Sequence, residues 1–157
     1  MPIEIRSLQP EEWSTYRAVR LAALKDSPDA FGGSYDKSAA YPEALWREWC
    51  GQPSWFAFDG TAPVGMVRVF AAPAEELPEL VSMWVAPEVR GRTVATDLVA
   101  TVIDWARASG VPGVRLFVVD GNARAQRFYE RMGLRDTGVR EPLPDGRTEI
   151  GMELRFG

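Results

Sequence analysis

Arg90, Gly91, Arg92 and Thr93 stand between an apolar run, Leu80-Val81-Ser82-Met83-Trp84-Val85, and a segment in which Val94, Ala95, Leu98, Val99, Val102, Ile103 and Ala106 recur at helical spacing. A strand that feeds directly into a helix leaves the first helical N–H groups without partners, pointing past the end of the sheet. Anions suit that place. Each dipole contact there contributes about 0.3–1 kcal/mol, and several donors with Arg90 and Arg92 beside them could hold a pyrophosphate. The same residues would also make an ordinary strand-to-helix connection with solvated arginines.

Composition removes other chemistries. With no histidine, a Ser-His-Asp relay or a histidine-ligated zinc site cannot be built, and no metal site is expected. The single cysteine, Cys50, cannot form an internal disulfide and follows Trp49 with no histidine to activate it, so it reads as a packing residue. A net charge of −4 argues against a nucleic-acid binder, which needs clustered Lys and Arg, and mildly favours basic substrates. No run of about 18 apolar residues is present and the N-terminus lacks the layout of a signal peptide, so the expectation is a cytoplasmic protein without a membrane partner. The 157 residues, 46% of them hydrophobic, predict one domain over 1–157 with a sizeable core.

The elements that must position the turn follow from the chain in order. Ile3-Glu4-Ile5-Arg6 alternates like a half-buried strand, and Gln9-Pro10-Glu11-Glu12 opens a helix whose mostly apolar face carries Trp13, Tyr16, Arg20, Leu21 and Leu24. Ser27-Pro28-Asp29 stops it. Residues 30–35 cannot comfortably continue a helix, and a second helix is predicted from near Pro42 through Leu45, Trp46 and Trp49. The aromatic residues Phe31, Tyr35, Trp46 and Trp49 either border a pocket or cover one side of the core. Trp55–Phe58 and Val64–Phe70 form a hairpin around Asp59-Gly60. Three antiparallel strands before a strand–helix unit predict a mixed sheet in an α/β domain.

Ser109-Gly110 ends the central helix, and Val114–Val119 is a strongly apolar strand. A strand–helix–strand of this length is a right-handed crossover, which makes the two strands parallel neighbours with their carboxyl ends at one edge. Asn122 is a good cap for a helix carrying Ala125, Phe128, Tyr129 and Met132 on one face and closed by Gly133. Two further strands, 134–140 and 148–156, complete the chain.

Two separated motifs now coincide with a known pattern. Val85-x-Pro-x-x-Arg-Gly-x-x-Val-Ala, followed by Asn122-x-x-Ala125-x-x-Phe128-Tyr129-Glu130-x-x-Gly133-Leu134, closely resembles the GNAT superfamily of acetyl-CoA-dependent N-acetyltransferases. Ala23-Leu24-x-x-Ser27-Pro28-x-Ala30-Phe31 is also similar to one bacterial branch of it. The resemblance implies a mixed, twisted sheet splayed in a V and flanked by helices, with acetyl-CoA in the gap. It implies that main-chain groups of Met83, Trp84 and Val85 pair with the pantetheine arm. The N–H groups of Arg90, Gly91, Arg92, Thr93, Val94 and Ala95 would take the pyrophosphate. Asn122 would bond the pantetheine, with Ala125 and Phe128 lining it and Tyr129 near the thioester sulfur. Thr93 departs from the pattern, which has a glycine there. A site needing a glycine-only conformation would cost a β-branched residue on the order of 1–3 kcal/mol, whereas at a helix N-cap threonine is acceptable and its hydroxyl could reach a phosphate.

Acetyl transfer needs a neutral amine, and an amine of pKa near 10.4 is about 4–5 kcal/mol away from that at pH 7. A carboxylate could take the proton, directly or through a water. Glu79 stands where the resemblance implies a glutamate, with Glu75, Glu76 and Asp120 as competitors; each could equally be a solvated surface acid. Tyr129, as a phenol, would donate to the departing thiolate, and a main-chain N–H near Val85 to the developing oxyanion. The function implied is N-acetyltransfer to a primary amine of a small molecule or protein. A non-catalytic acyl-CoA sensor and a nucleotide-binding module are the other classes the same turn would serve. The acceptor site would draw on Phe31–Tyr41, Trp46, Trp84 and the 140–147 loop, and a homodimer through exposed aromatics or the C-terminal strands is compatible with the sequence.

Overall fold

The computed structural model describes residues 2–28, 34–70 and 77–157. Asp29, Ala30, Phe31, Glu75 and Glu76, named above, lie outside the described residues. Seven strands are described, in the hydrogen-bonded order β1-β2-β3-β4-β5-β7-β6. They are β1 (Ile3–Arg6), β2 (Ser54–Asp59), β3 (Ala62–Phe70), β4 (Glu79–Val85), β5 (Gly113–Val119), β6 (Arg135–Pro142) and β7 (Thr148–Arg155). The helices are α1 (Trp13–Asp26), α2 (Tyr35–Ala39), α3 (Glu43–Cys50), α4 (Val94–Ala108) and α5 (Ala123–Arg131). No described helix is long and apolar enough to cross a membrane. The expected mixed α/β class and the parallel β4–β5 pairing, with Glu79 opposite Arg115, are what the chain adopts. Contacts group the residues into two compact units, Met1–Val69 with Ser82–Leu98, and Phe70–Val81 with Val99–Gly157.

The first unit is built on an aromatic core. β1 pairs antiparallel with β2, and β2 with β3 through the turn after Asp59. Tyr16 of α1 meets Phe56 of β2 edge-on at 5.0 Å, and Trp46 of α3 meets Trp49 at 5.0 Å and 90°, both favourable ring geometries. Tyr16, Trp46 and Phe56 are fully buried. The buried face of α1 is Tyr16, Val19, Leu21, Ala23 and Leu24, broader than the predicted stripe because α2 and α3 also pack on it; Trp13 and Arg20 are only half-buried. The predicted start of α1 is a 3₁₀ turn, Pro10–Glu12, tightened by Glu12 accepting from the Gln9 N–H at 3.0 Å and from Arg6 at 3.0 Å. The short α2 was not predicted; Ser34 caps it by accepting from the Lys37 N–H at 3.0 Å.

In the second unit β5 pairs antiparallel with β7 over its whole length, and β7 with β6. α5 follows β5 directly, so its residues are placed by a turn of three residues.

Gly65 of β3 shows how closely this first unit is packed around β4 and α4. A Cβ built there would lie 3.0 Å from the Trp84 carbonyl oxygen, 3.2 Å from Leu98 Cδ1 and 3.4 Å from Val94 Cγ1. Gly65→Ala should therefore lower stability by about 1–3 kcal/mol in urea unfolding, since the strand carbonyl has little room to retreat.

Candidate active site

The turn from Arg90 to Thr93 belongs to the first unit and is fixed from three sides. Val85 ends β4, Pro87–Val89 make one 3₁₀ turn, and α4 begins at Val94. Gly91 has φ +88°, a conformation that side chains resist, and a Cβ there would meet nothing within 4 Å. Conformation alone thus asks for glycine at position 91. Ser82 is the one described non-glycine residue with positive φ, so Thr93 sits in ordinary backbone space. The Thr93 carbonyl accepts from the Asp97 N–H at 2.9 Å, which makes Thr93 the N-cap residue of α4. Its hydroxyl donates to Asp97 Oδ2 at 3.1 Å, on the helix itself. The N–H groups of Arg90 and Arg92 donate at 3.3 Å to Pro87 and Val89, long bonds that close the turn.

The two arginines are held differently from a pair of solvated cations. Arg90 donates through Nε to the Val85 carbonyl at 3.1 Å and through Nη2 to Asp26. Arg92 lies 3.7 Å from Asp59. Asp26, in the last turn of α1, also accepts from Trp84 Nε1 at 2.9 Å and Ser27 Oγ at 2.8 Å. The Trp84 bond, then Ser27 and Arg90, hold the Asp26 carboxyl below its usual range. Trp84 is buried, while Met83 and Val85 flank it half-buried, in the alternation of a strand.

Just before them Ser82 stands at φ +55°, a left-handed conformation that costs an L-residue roughly 1–2 kcal/mol. Arg20 of α1 donates to the Ser82 Oγ at 3.3 Å. Neither Ser82 nor Asp26 is among the site residues that the sequence points to. Asp26 had a signal: an acid in the last helical turn opposes the helix dipole unless something pairs with it. Ser82 had none, because nothing in its type announces a positive φ.

The other predicted residues lie in the second unit. Asn122 caps α5, its Oδ1 accepting from the Ala125 N–H at 3.2 Å. At the far end the Gly133 N–H donates to Glu130 and the Leu134 N–H to the Tyr129 carbonyl, each at 3.0 Å, the paired bonds of a Schellman stop. Tyr129 therefore has its main chain locked at a defined helix end. Its ring is buried, with 8% exposure, and sits edge-on to Phe128 at 5.1 Å. Burial pushes its phenol upward, so it stays protonated at any physiological pH. Ala125 and Phe128 are half-buried on α5. Glu79 of β4 pairs with Arg115 at 3.7 Å, with a quarter of its side chain exposed. Cys50 is buried and its thiol is pushed up by desolvation, which disfavours the thiolate. Among the described residues no group of acids and cysteine could hold a metal ion.

Comparisons with known proteins bear on family and fold. The model of the Acetyltransferase (GNAT) family matches residues 10–134. A mycothiol acetyltransferase of Brachybacterium faecium is 46% identical over 52 residues, 33% of this chain, and the match spans only 16% of that relative's length. A GNAT-family acetyltransferase of Streptococcus pneumoniae superposes with a TM-score of 0.84 at 18% identity, covering 99% of this chain and all of the other. An acetyltransferase of Salmonella typhimurium, solved with acetyl-CoA, gives 0.79 at 16% identity, covering 100% and 95%. At these identities the structural likeness is one of fold.

The depressed Asp26 carboxyl fixes a pH dependence. A group whose folded pKa lies below its unfolded value stabilises the fold above the unfolded value and ceases to do so as pH falls through the folded one. Asp26→Asn should thus be less stable than the parent at pH 7, and the difference should close below about pH 3.9 in pH-resolved thermal melts.

Proposed function

Because this chain belongs to the GNAT acetyltransferase family, we propose that it is an acetyl-CoA-dependent N-acetyltransferase acting on a primary amine of a small molecule or protein. The observation that carries this is the strand–turn–helix from Met83 to Ala95, with glycine at φ +88° and a fifteen-residue helix starting at Val94, inside the segment the family matches. Bound acetyl-CoA supplies an acetyl thioester whose carbonyl carbon the neutral amine attacks, the C–N bond forming as the C–S bond breaks.

In this proposal the N–H groups of Gly91, Thr93, Val94 and Ala95 meet the pyrophosphate at the positive end of α4. Arg90 and Arg92 contribute field from where Asp26 and Asp59 hold them rather than by direct grasp. Met83, Trp84 and Val85 offer strand groups to the pantetheine arm, and Asn122, Ala125 and Phe128 offer a side-chain amide and apolar surface. Glu79 receives the proton the amine gives up. Arg115 lies beside it, its Nη2 3.7 Å from the carboxylate. Tyr129 faces a leaving thiolate of pKa near 8.5, well below that of a buried phenol, so full proton transfer would run uphill. Its task is to donate a hydrogen bond that stabilises the thiolate as it forms.

Acetyl-CoA at a hundredfold excess over its Kd should stabilise the protein by about 2.7 kcal/mol, read as a rise in Tm. Tyr129→Phe should keep that shift and lose roughly 10²-fold in kcat, measured as thiol release with a reactive amine. Parent-like turnover with chemistry rate-limiting would remove Tyr129 from the mechanism. Glu79→Gln should lose activity most at pH 7 and recover part of it near pH 9, where more of the amine is already neutral.

A further inference from the structure

Helix α5 carries Arg124, Arg127 and Arg131, which stand at i, i+3 and i+7 and so share one stripe of the helix, all three exposed. Among the described residues their guanidinium groups form no ion pair, hydrogen bond or ring contact, and Glu130, the one acid of the helix, pairs with none of them. Every arginine outside α5 does form such a contact. Arg135, just past the helix, is fixed to the Glu130 and Leu134 carbonyls at 3.0 Å each and adds another positive charge at that end. The unpaired cations therefore stand in one row, within a chain of net charge −4.

Such a row is unfavourable for α5 itself. Like charges three and four residues apart repel on a helix surface, and Arg124 in the first turn faces the positive end of the helix dipole. A nine-residue helix has little intrinsic stability to set against that repulsion. The apolar side of α5 is turned inward, with Tyr129 buried and Phe128 half-buried, so the stripe lacks the apolar face that a helix lying on a bilayer inserts. Three cations are also fewer than the roughly six to ten phosphate contacts of a firm nucleic-acid binder, and the net negative charge of the chain repels an extended polyanion. A short acidic peptide meets mainly the stripe, because charges beyond about 8 Å are screened at physiological salt. From Arg124 to Arg131 the helix rises about 10 Å, the reach of about three extended residues.

We propose that the outward stripe of α5 docks a short run of aspartate and glutamate on another protein. Carboxylates fit guanidinium forks through two parallel bonds, and each pair formed offsets repulsion that the helix otherwise carries. The contact is electrostatic and exposed, so it is weak, quick to form and sensitive to salt. It goes beyond acetyl transfer and stands whether or not that reading does.

The test is fluorescence anisotropy of a labelled, capped hexaglutamate peptide at low salt, compared with hexaglutamine and with an oligodeoxythymidine of equal charge. Hexaglutamate should bind and hexaglutamine should not, and raising salt to about 1 M, where the Debye length is about 3 Å, should remove the binding. A variant combining Arg124→Gln, Arg127→Gln and Arg131→Gln should lose roughly tenfold in affinity, the size expected of three exposed ion pairs. Glutamine matches arginine in helix propensity, so α5 should form in that variant; should it fail to fold, the three single substitutions take its place, each losing about twofold. A control with Arg47→Gln, Arg140→Gln and Arg155→Gln changes net charge equally at arginines that are already paired, and should bind like the parent. No binding of hexaglutamate, an equal loss in the control, or tighter binding of the oligonucleotide or of phosphatidylserine vesicles would each overturn the assignment. So would self-association of the parent that the triple variant abolishes, or displacement of the peptide by acetyl-CoA, which would give the stripe to a second copy or to the coenzyme.

Discussion

The carboxylate of Asp26 organises the turn between β4 and α4 in the first unit. An acid at the C-terminal end of α1 faces the negative end of the helix dipole, a cost of about 0.3–1 kcal/mol. Donors from Trp84, Arg90 and Ser27 more than offset it, because bonds to a charged acceptor are the strong ones. Through them one group joins the end of α1 to the last strand residues and to the turn. Arg90 then passes the constraint on by holding the Val85 carbonyl. The turn is thus shaped by a helix some sixty residues earlier in the chain.

In the second unit, α5 is fixed by local means instead. Asn122 satisfies an N–H at the start of α5, and the Gly133 stop satisfies carbonyls at its end, one of them that of Tyr129 itself. A nine-residue helix is marginal alone, so caps at both ends and a buried tyrosine matter in proportion. The proposed hydrogen-bond donor therefore sits where main-chain geometry is most strictly determined.

Much of this was legible in the sequence. The helical spacing of Val94 to Ala106, the apolar run of β5, the Asn122 cap and the Gly133 stop are local signals, and each forms where its residues predict. The question raised by Thr93 is answered by local geometry too: it is an N-cap, and the glycine requirement falls on Gly91. What was not legible is tertiary. Arg20 looked like a polar interruption of an apolar face, because its hydrogen-bond partner, Ser82, is far along the chain. The left-handed Ser82 and the placing of β7 between β5 and β6 depend on partners that no window of sequence contains.

The outermost strand, β6, is exposed along all eight residues. Its pairing with β7 shifts register between Asp136 and Arg140, and those two residues close an ion pair at 2.8 Å across the irregularity. A row of unpaired main-chain groups normally offers a template to any passing strand, but a bulge twists that row and charge makes it costly to cover. This edge, the last in the strand order, thus carries two devices that discourage pairing with a further strand. The irregularity and the ion pair on it make extension of the β6 ladder by another strand costly.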